Sequence, residues 1–359
     1  MTRRLLILSA SMGAGHDQVA AELARRLGAE GADVEIIDVL HLLPFRLGVA
    51  LRRSYHWMIK RAPWLYEVIY QVFFLAKRAP SVSPLTGLMA ARLSRELARR
   101  PPVEVVSTFH LAAQVAGRLR RRGRLRAPST VLITDFAVHR LWLHPGNDRV
   151  LTLNPAARAS IAAATGLPAF TCAPVVAPAF RDRTAEPGDR LVLVSSGSWG
   201  VGRLAETARV LAGSGYTPVV LCGRDARLRR TLAGSGAGVV LGWRDDMPGL
   251  MAAACALVDN GAGLTCVEAF AAGLPVIIYR PIAGHGRDCA LAMARAGVAG
   301  YARDAAALLD ALDRLRDERP RVALASALFA SAPAEAVLIS APGGRPAPEA
   351  TARAESCPE

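Results

Sequence analysis

Three glycine-bearing loops, one with a histidine and one with a glutamate, hold the residues of this chain most suited to chemistry. The longest is Asp259-Asn260-Gly261-Ala262-Gly263-Leu264-Thr265-Cys266-Val267-Glu268, closed downstream by Gly273 and Pro275. It follows the apolar run Cys255-Ala256-Leu257-Val258 and precedes Val276-Ile277-Ile278-Tyr279, both of which read as strands. Glycine lets the backbone turn sharply there and approach a ligand closely. A strand, a glycine turn and a helix start together place free N–H groups where an anion such as pyrophosphate can sit. Glu268, about one turn into that helix, can reach a sugar hydroxyl beside the anion. Strand ends in α/β proteins carry such turns without ligands too, so the stretch alone does not assign a function.

The second loop, Ser9-Ala10-Ser11-Met12-Gly13-Ala14-Gly15-His16, follows the apolar run Leu5–Leu8. Gly13, Gly15 and His16 therefore stand at the top of a first strand, where ligands bind in open α/β sheets. The third glycine of a dinucleotide fingerprint is missing. The third loop, Ser195-Ser196-Gly197-Ser198-Trp199-Gly200-Val201-Gly202, opens a helix after the strand Leu191–Val194. A further strand-end loop, Thr134 to Gly146, carries Asp135, His139, Trp142 and His144. The spacing of its two histidines, with Pro145 behind them, argues against a zinc site.

Positioning these loops requires alternating strands and helices. Strands read at Leu5–Leu8, Val34–Ile37, Val103–Phe109, Thr130–Thr134 and Val150–Leu153, then at Leu191–Val194, Pro218–Cys222, Val239–Leu241, Ala256–Val258 and Val276–Tyr279. Helices read at Asp17–Leu27, Leu111–Leu119, Pro155–Ala164 and around Ala334–Ser340. The polar, aperiodic stretch Ala177–Arg190 is a linker. The fold class is α/β, with an N-terminal domain over 1–178, a C-terminal domain over 179–342 and a disordered tail over 343–359. Residues 41–100 interrupt the alternation with Tyr55, Trp57, Trp64, Tyr66, Tyr70, Phe73 and Phe74 among Arg52, Arg53, Lys60, Arg61, Lys77 and Arg78. Aromatic and aliphatic residues interleaved with cations describe helices lying in a membrane interface, or else a helical insertion with a basic solvent face.

Charge agrees with an anionic partner. Of the formal net charge of +14, residues 1–150 carry most, with 23 Arg and Lys against 11 Asp and Glu. The rest holds 21 against 19. A phospholipid surface or nucleic acid would suit this imbalance, but no nucleic-acid motif is present and none is expected as a partner. The six cysteines show no metal-like or paired spacing, which reads as a reduced, cytoplasmic protein. No run of roughly 18 uninterrupted apolar residues appears, so the chain is expected to lie on a membrane rather than cross it.

Taken together, Leu241-Gly242-Trp243-Arg244-Asp245-Asp246-Met247-Pro248, Asn260 to Ala269 and Ala272-Gly273-Leu274-Pro275 resemble the donor-binding half of GT-B glycosyltransferases. The chain is most similar to the branch of monogalactosyldiacylglycerol synthases, processive diacylglycerol glucosyltransferases and the peptidoglycan lipid-intermediate N-acetylglucosaminyltransferase. Ser11 to His16 matches that branch's glycine loop with trailing histidine, and residues 41–100 resemble its lipid-facing region. The likeness covers about residues 4–340. It implies two Rossmann-like, doubly wound domains facing a central cleft, and an inverting transfer of a hexose from a UDP-sugar to a lipid, expected to be diacylglycerol. That reaction would run at the cytoplasmic face of an anionic membrane surface.

The resemblance also implies roles. Glu268 would bind the ribose hydroxyls, and Gly261, Ala262, Gly263 and Thr265 would lie along the pyrophosphate. Ser196, Gly197 and Ser198, with Gly13 and Gly15, would face the same groups, and Trp243 and Arg244 would border the uracil. His16 would be the general base, for which an imidazole suits. His285, in Gly284-His285-Gly286-Arg287-Asp288, stands where the branch has a glutamine-rich donor-sugar loop, and the sequence departs there. Neither a metal nor a cofactor is implied beyond the UDP-sugar substrate. Asp135 and His139 match an acceptor-side loop less tightly. Other acceptors, such as a lipid-linked peptidoglycan precursor or a secondary metabolite, and a GT-B-fold UDP-sugar epimerase are the alternatives.

Overall fold

The computed structural model describes residues 3–76, 83–182, 188, 190–236, 238–314 and 319–340. Lys77, Arg78, most of the linker after Asp182 and the tail over 343–359, on which expectations were set above, lie outside these described residues.

The alternation folds into two six-stranded sheets. The first contains β1 (Arg4–Ser9), β2 (Asp33–Asp38), β3 (Glu104–Ser107), β4 (Ser129–Ile133), β5 (Arg149–Thr152) and β6 (Ala169–Thr171) in the order β2-β1-β3-β4-β5-β6. The second contains β7 (Leu191–Ser195), β8 (Thr217–Leu221), β9 (Val239–Leu241), β10 (Ala256–Asp259), β11 (Val276–Tyr279) and β12 (Gly300–Ala302) in the order β12-β11-β10-β7-β8-β9. Every pairing among them is parallel. Parallel sheets need both faces covered, and the apolar runs supply them. In β1, Leu5 and Ile7 face Val19, Leu23 and Leu27 of helix Ala14–Ala29. Leu6 and Leu8 face Met89, Leu93, Val115 and Leu119 of helices Pro84–Arg99 and His110–Arg121. Strands β6 and β12, of three residues each at sheet edges, lack the wholly apolar run of the equally short β9, and neither reads as a strand in the sequence.

Strand order reverses between β1 and β3 in the first sheet and between β7 and β10 in the second. Crevices at the carboxyl ends of strands open at such switch points. Three loops singled out by their chemistry, after β1, β7 and β10, all leave strands at a reversal.

The interruption at 41–100 is helical, as Leu47–Arg61, Pro63–Ile69, a π-helical turn Tyr70–Leu75 and Pro84–Arg99. Its aromatic residues do not share one environment. Phe45 is 94% exposed and Trp64 69%, with Trp57 and Phe73 also outward, whereas Tyr66 is 3% exposed and Tyr70 1%. One face of this aromatic set is therefore buried and the other exposed.

By composition Pro320–Ile339 is long and apolar enough to span a bilayer, at a mean hydropathy of 1.8. The fold breaks it into helix Arg319–Ala327, a 3-10 turn Leu328–Ala330 and helix Ala334–Ile339, with Pro333 at the second break. Ala334, Val337 and Leu338 pack under the first sheet beside Leu5 and Leu23, so by packing this segment joins the N-terminal unit although it follows the second sheet in sequence. Glu104 ties it down. The buried Glu104 carboxylate accepts from Arg149 Nη2 at 2.7 Å and Thr130 Oγ1 at 2.6 Å. Arg149 and Arg3 in turn donate to the carbonyls of Val337, Leu338 and Ile339. Glu104→Ala leaves those guanidinium groups without their buried partner. It is expected to lower stability by about 3 kcal/mol, read as a shifted midpoint in urea unfolding.

Candidate active site

Strand β10 ends on Asp259, whose buried carboxylate turns back on its own loop. Its Oδ1 accepts the amides of Gly261 and Ala262, both at 2.7 Å. Two charge-assisted bonds fix a tight turn in which Ala262, and neither glycine, takes the left-handed conformation, at φ 49°. Those two amides are therefore occupied, in contrast to the expectation that they line an anion. Leu264 and Thr265, at the start of helix Leu264–Ala271, remain as open amide donors. Asn260 donates from Nδ2 to the Val201 carbonyl at 2.8 Å, locking this loop to the loop after β7. Gly202 permits the lock, because a Cβ there would lie 2.3 Å from Asn260 Nδ2.

Glu268 follows one turn into the helix. It is 7% exposed, and burial alone pushes its carboxyl up to about 8. Among the described residues no donor sits against it. Asn260 Oδ1 and Ser196 Oγ, at the ends of adjacent strands, are likewise buried without a hydrogen-bond partner. Buried polar groups are ordinarily paired, so this cluster is poised for a polar ligand.

The loop after β1 arrives from the other side. The Ala14 amide donates to Ser198 Oγ at 3.3 Å. A Cβ on Gly15 would stand 3.2 Å from Leu264 Cβ, so that glycine serves close packing between the two helix starts. A cavity of about 210 Å³ opens beside this contact, lined by Gly13, Asp17, Arg52, Ser198, Arg224 and Trp243 among others. Arg224 lies 4.3 Å over the Trp243 ring. Arg244 is exposed and paired with Asp246.

His16 sits in the first turn of its helix with Nδ1 2.9 Å from Thr134 Oγ1 and its ring 4.8 Å from Phe109. That leaves Nε2 to the cleft. Asp135 accepts from Trp142 Nε1 at 3.0 Å. His139 and His110 stack edge-on at 5.1 Å, each with Nδ1 unpartnered, and burial lowers both, His139 to about 4. His144 stands apart, accepting the Gly146 amide at 3.0 Å and filling the space over Gly117. Among the described residues no three His, Cys, Asp or Glu side chains are arranged to hold a metal ion.

His285 opens helix His285–Arg295, and a Cβ on the next residue, Gly286, would lie 3.5 Å from the Gly261 carbonyl. The site residues of the second sheet and His16 thus share one cleft. Sequence reasoning missed Thr134, Arg224 and His110, which carry no motif; their long-range partners are what place them here.

An acid with a raised folded pKa is destabilising once pH exceeds its unfolded value, near 4.5 for Glu268, and the cost is complete above 8. Glu268→Gln is expected to stabilise the unliganded protein by about 3 kcal/mol at pH 8 and by nothing at pH 4, as measured by urea unfolding at both.

Comparison with known proteins agrees with this geometry. Residues 16–169 match the family described as monogalactosyldiacylglycerol (MGDG) synthase. A processive diacylglycerol beta-glucosyltransferase of Bacillus subtilis (strain 168) is 25% identical over 320 residues, covering 80% of each chain. One from Bacillus mycoides (strain KBAB4) is 26% identical over 335 residues, covering 84% of this chain and 82% of that protein. Among solved structures, MurG of Acinetobacter baumannii superposes with a TM-score of 0.59 at 15% identity, over 94% of this chain and 98% of its own. A ugt transferase from Siraitia grosvenorii, in complex with UDP, gives 0.61 at 13%, over 92% and 95%. The chain is a glycosyltransferase with the GT-B fold, and its residues 16–169 match the monogalactosyldiacylglycerol synthase family.

Proposed function

We propose that this enzyme moves a hexose from a UDP-sugar to diacylglycerol at the cytoplasmic face of a membrane, in one inverting displacement. The observation that carries the reading is the contact of Gly15 with Leu264, which brings His16 and the Glu268 helix to one cleft. The activity named for the Bacillus relatives and the UDP held by the Siraitia structure support the acceptor and donor classes.

In this account the ribose hydroxyls donate to the unpartnered Glu268 carboxylate, and Trp243, with Arg224 on it, borders the base. The amides of Leu264 and Thr265 face the diphosphate. The acceptor hydroxyl attacks the anomeric carbon while its proton passes to His16 Nε2; Thr134 holds the other ring nitrogen. The bond to UDP breaks with the electron pair on the departing diphosphate, which the helix N-terminus and cations stabilise. On the outer face, Phe45, Trp57, Trp64 and Phe73 stand beside the exposed Arg46, Arg53 and Arg61. That composition fits an anionic membrane surface holding the acceptor.

Two variants separate the roles. His16→Ala is expected to lose at least about a hundredfold in turnover and keep its affinity for UDP. Glu268→Gln is expected to weaken UDP. It should also abolish a rise in UDP affinity between pH 6 and pH 8, since UDP favours the carboxylate over the neutral acid that prevails below about 8 in the free protein. Steady-state rates and titration calorimetry read both. Near-normal turnover by His16→Ala, or UDP binding by Glu268→Gln indistinguishable from the parent, would remove the residue from its role.

A further inference from the structure

The helical insertion of the first unit grips the first turn of helix His285–Arg295 in the second. Tyr66 Oη lies 2.8 Å from His285 Nδ1. Glu67 makes two contacts: Oε2 accepts the Gly284 amide at 2.9 Å, and Oε1 accepts Arg287 Nη2 at 2.9 Å. Tyr70 donates to Asp288 Oδ2 at 2.9 Å. Gly284 is left-handed at φ 70°, and a Cβ there would meet the Tyr66 ring at 2.6 Å. From the opposite side the same turn rests on the Gly261 carbonyl. It is clamped between the insertion and the nucleotide loop.

Burial keeps the His285 imidazole neutral, and it shares its surroundings with His16 and Asp135. With Nδ1 engaged by the phenol, Nε2 is the ring nitrogen left to meet a ligand.

We propose that Tyr66 and Glu67 are positioning residues for the sugar half of the donor, holding the His285 ring and the Gly284–Gly286 backbone against the glycosyl group. The inference rests on the donor reading above and extends it: the sugar pocket is completed by the same insertion that presents its outer face to lipid. Sugar discrimination then depends on contacts that never touch the nucleotide.

The test compares Tyr66→Phe, Glu67→Gln and Glu67→Ala in the full chain. Calorimetry is run with UDP and with whichever of UDP-glucose, UDP-galactose and UDP-N-acetylglucosamine the parent turns over. Tyr66→Phe is expected to keep UDP affinity within about twofold while donor KM rises about tenfold, the loss of one buried hydrogen bond. Glu67→Gln retains an acceptor for the Gly284 amide and loses the ion pair, so it should fall between the parent and Glu67→Ala. If Tyr66→Phe does not fold, the Glu67 pair carries the same comparison. A merely structural role would move UDP and UDP-sugar affinity together; that outcome, or no change in either, overturns the assignment. A parent that binds none of the three UDP-sugars overturns the donor reading, and this inference with it.

Discussion

Two hydrogen bonds donated by the amides of Gly261 and Ala262 to the Asp259 carboxylate set the geometry on which the rest of the site depends. They hold a non-glycine residue in the left-handed region and aim helix Leu264–Ala271 at the cleft. Without them the turn would relax, since a strained backbone persists only where its surroundings over-determine it. The helix so fixed carries Glu268 inward to a place where, among the described residues, no hydrogen-bond donor meets it. A buried carboxyl without a partner weakens the fold. Asn260 Oδ1 and Ser196 Oγ, also buried without a hydrogen-bond partner, add to that cost. Sites are often assembled from such groups, because the ligand supplies the missing donors.

A second constraint acts between the two sheets. Their carboxyl ends face each other, and three features hold them in register. Gly15 lets one helix start lie on another, Ala14 meets Ser198, and the aromatic cluster around Ile59, Tyr66, Tyr70 and Val201 spans the gap. Lys60 adds an ion pair to Asp225. The insertion is thus a bridge first. Its buried face is aromatic because it replaces solvent between two units, and its outer face carries exposed aromatic and cationic side chains.

Much of this was legible in the sequence. Apolar runs of strand length gave ten of the strands, and glycine loops after β1, β7 and β10 marked the crevice because there the chain approaches another loop closely. The remainder depends on distance along the chain. Tyr66 and His285 are 219 residues apart, and Ala14 and Ser198 are 184 apart, so no local spacing records either pair. Residues 41–100 mix two environments in one composition, and periodicity over short helices broken at Ala62 does not separate them. The amides of Gly261 and Ala262 are engaged by Asp259, two and three residues earlier, a pairing that the glycine spacing does not record. Arg224, which carries no motif, lies over Trp243, while Arg244 pairs with Asp246.

The most direct measurement is of product. The purified chain is incubated with UDP-glucose, UDP-galactose or UDP-N-acetylglucosamine and anionic vesicles containing diacylglycerol, and the lipids are analysed by mass spectrometry. The account predicts diacylglycerol carrying at least one sugar, in inverted anomeric configuration, with one UDP released per bond formed. Intact diacylglycerol with all three donors, while the protein is folded and binds UDP, would contradict it.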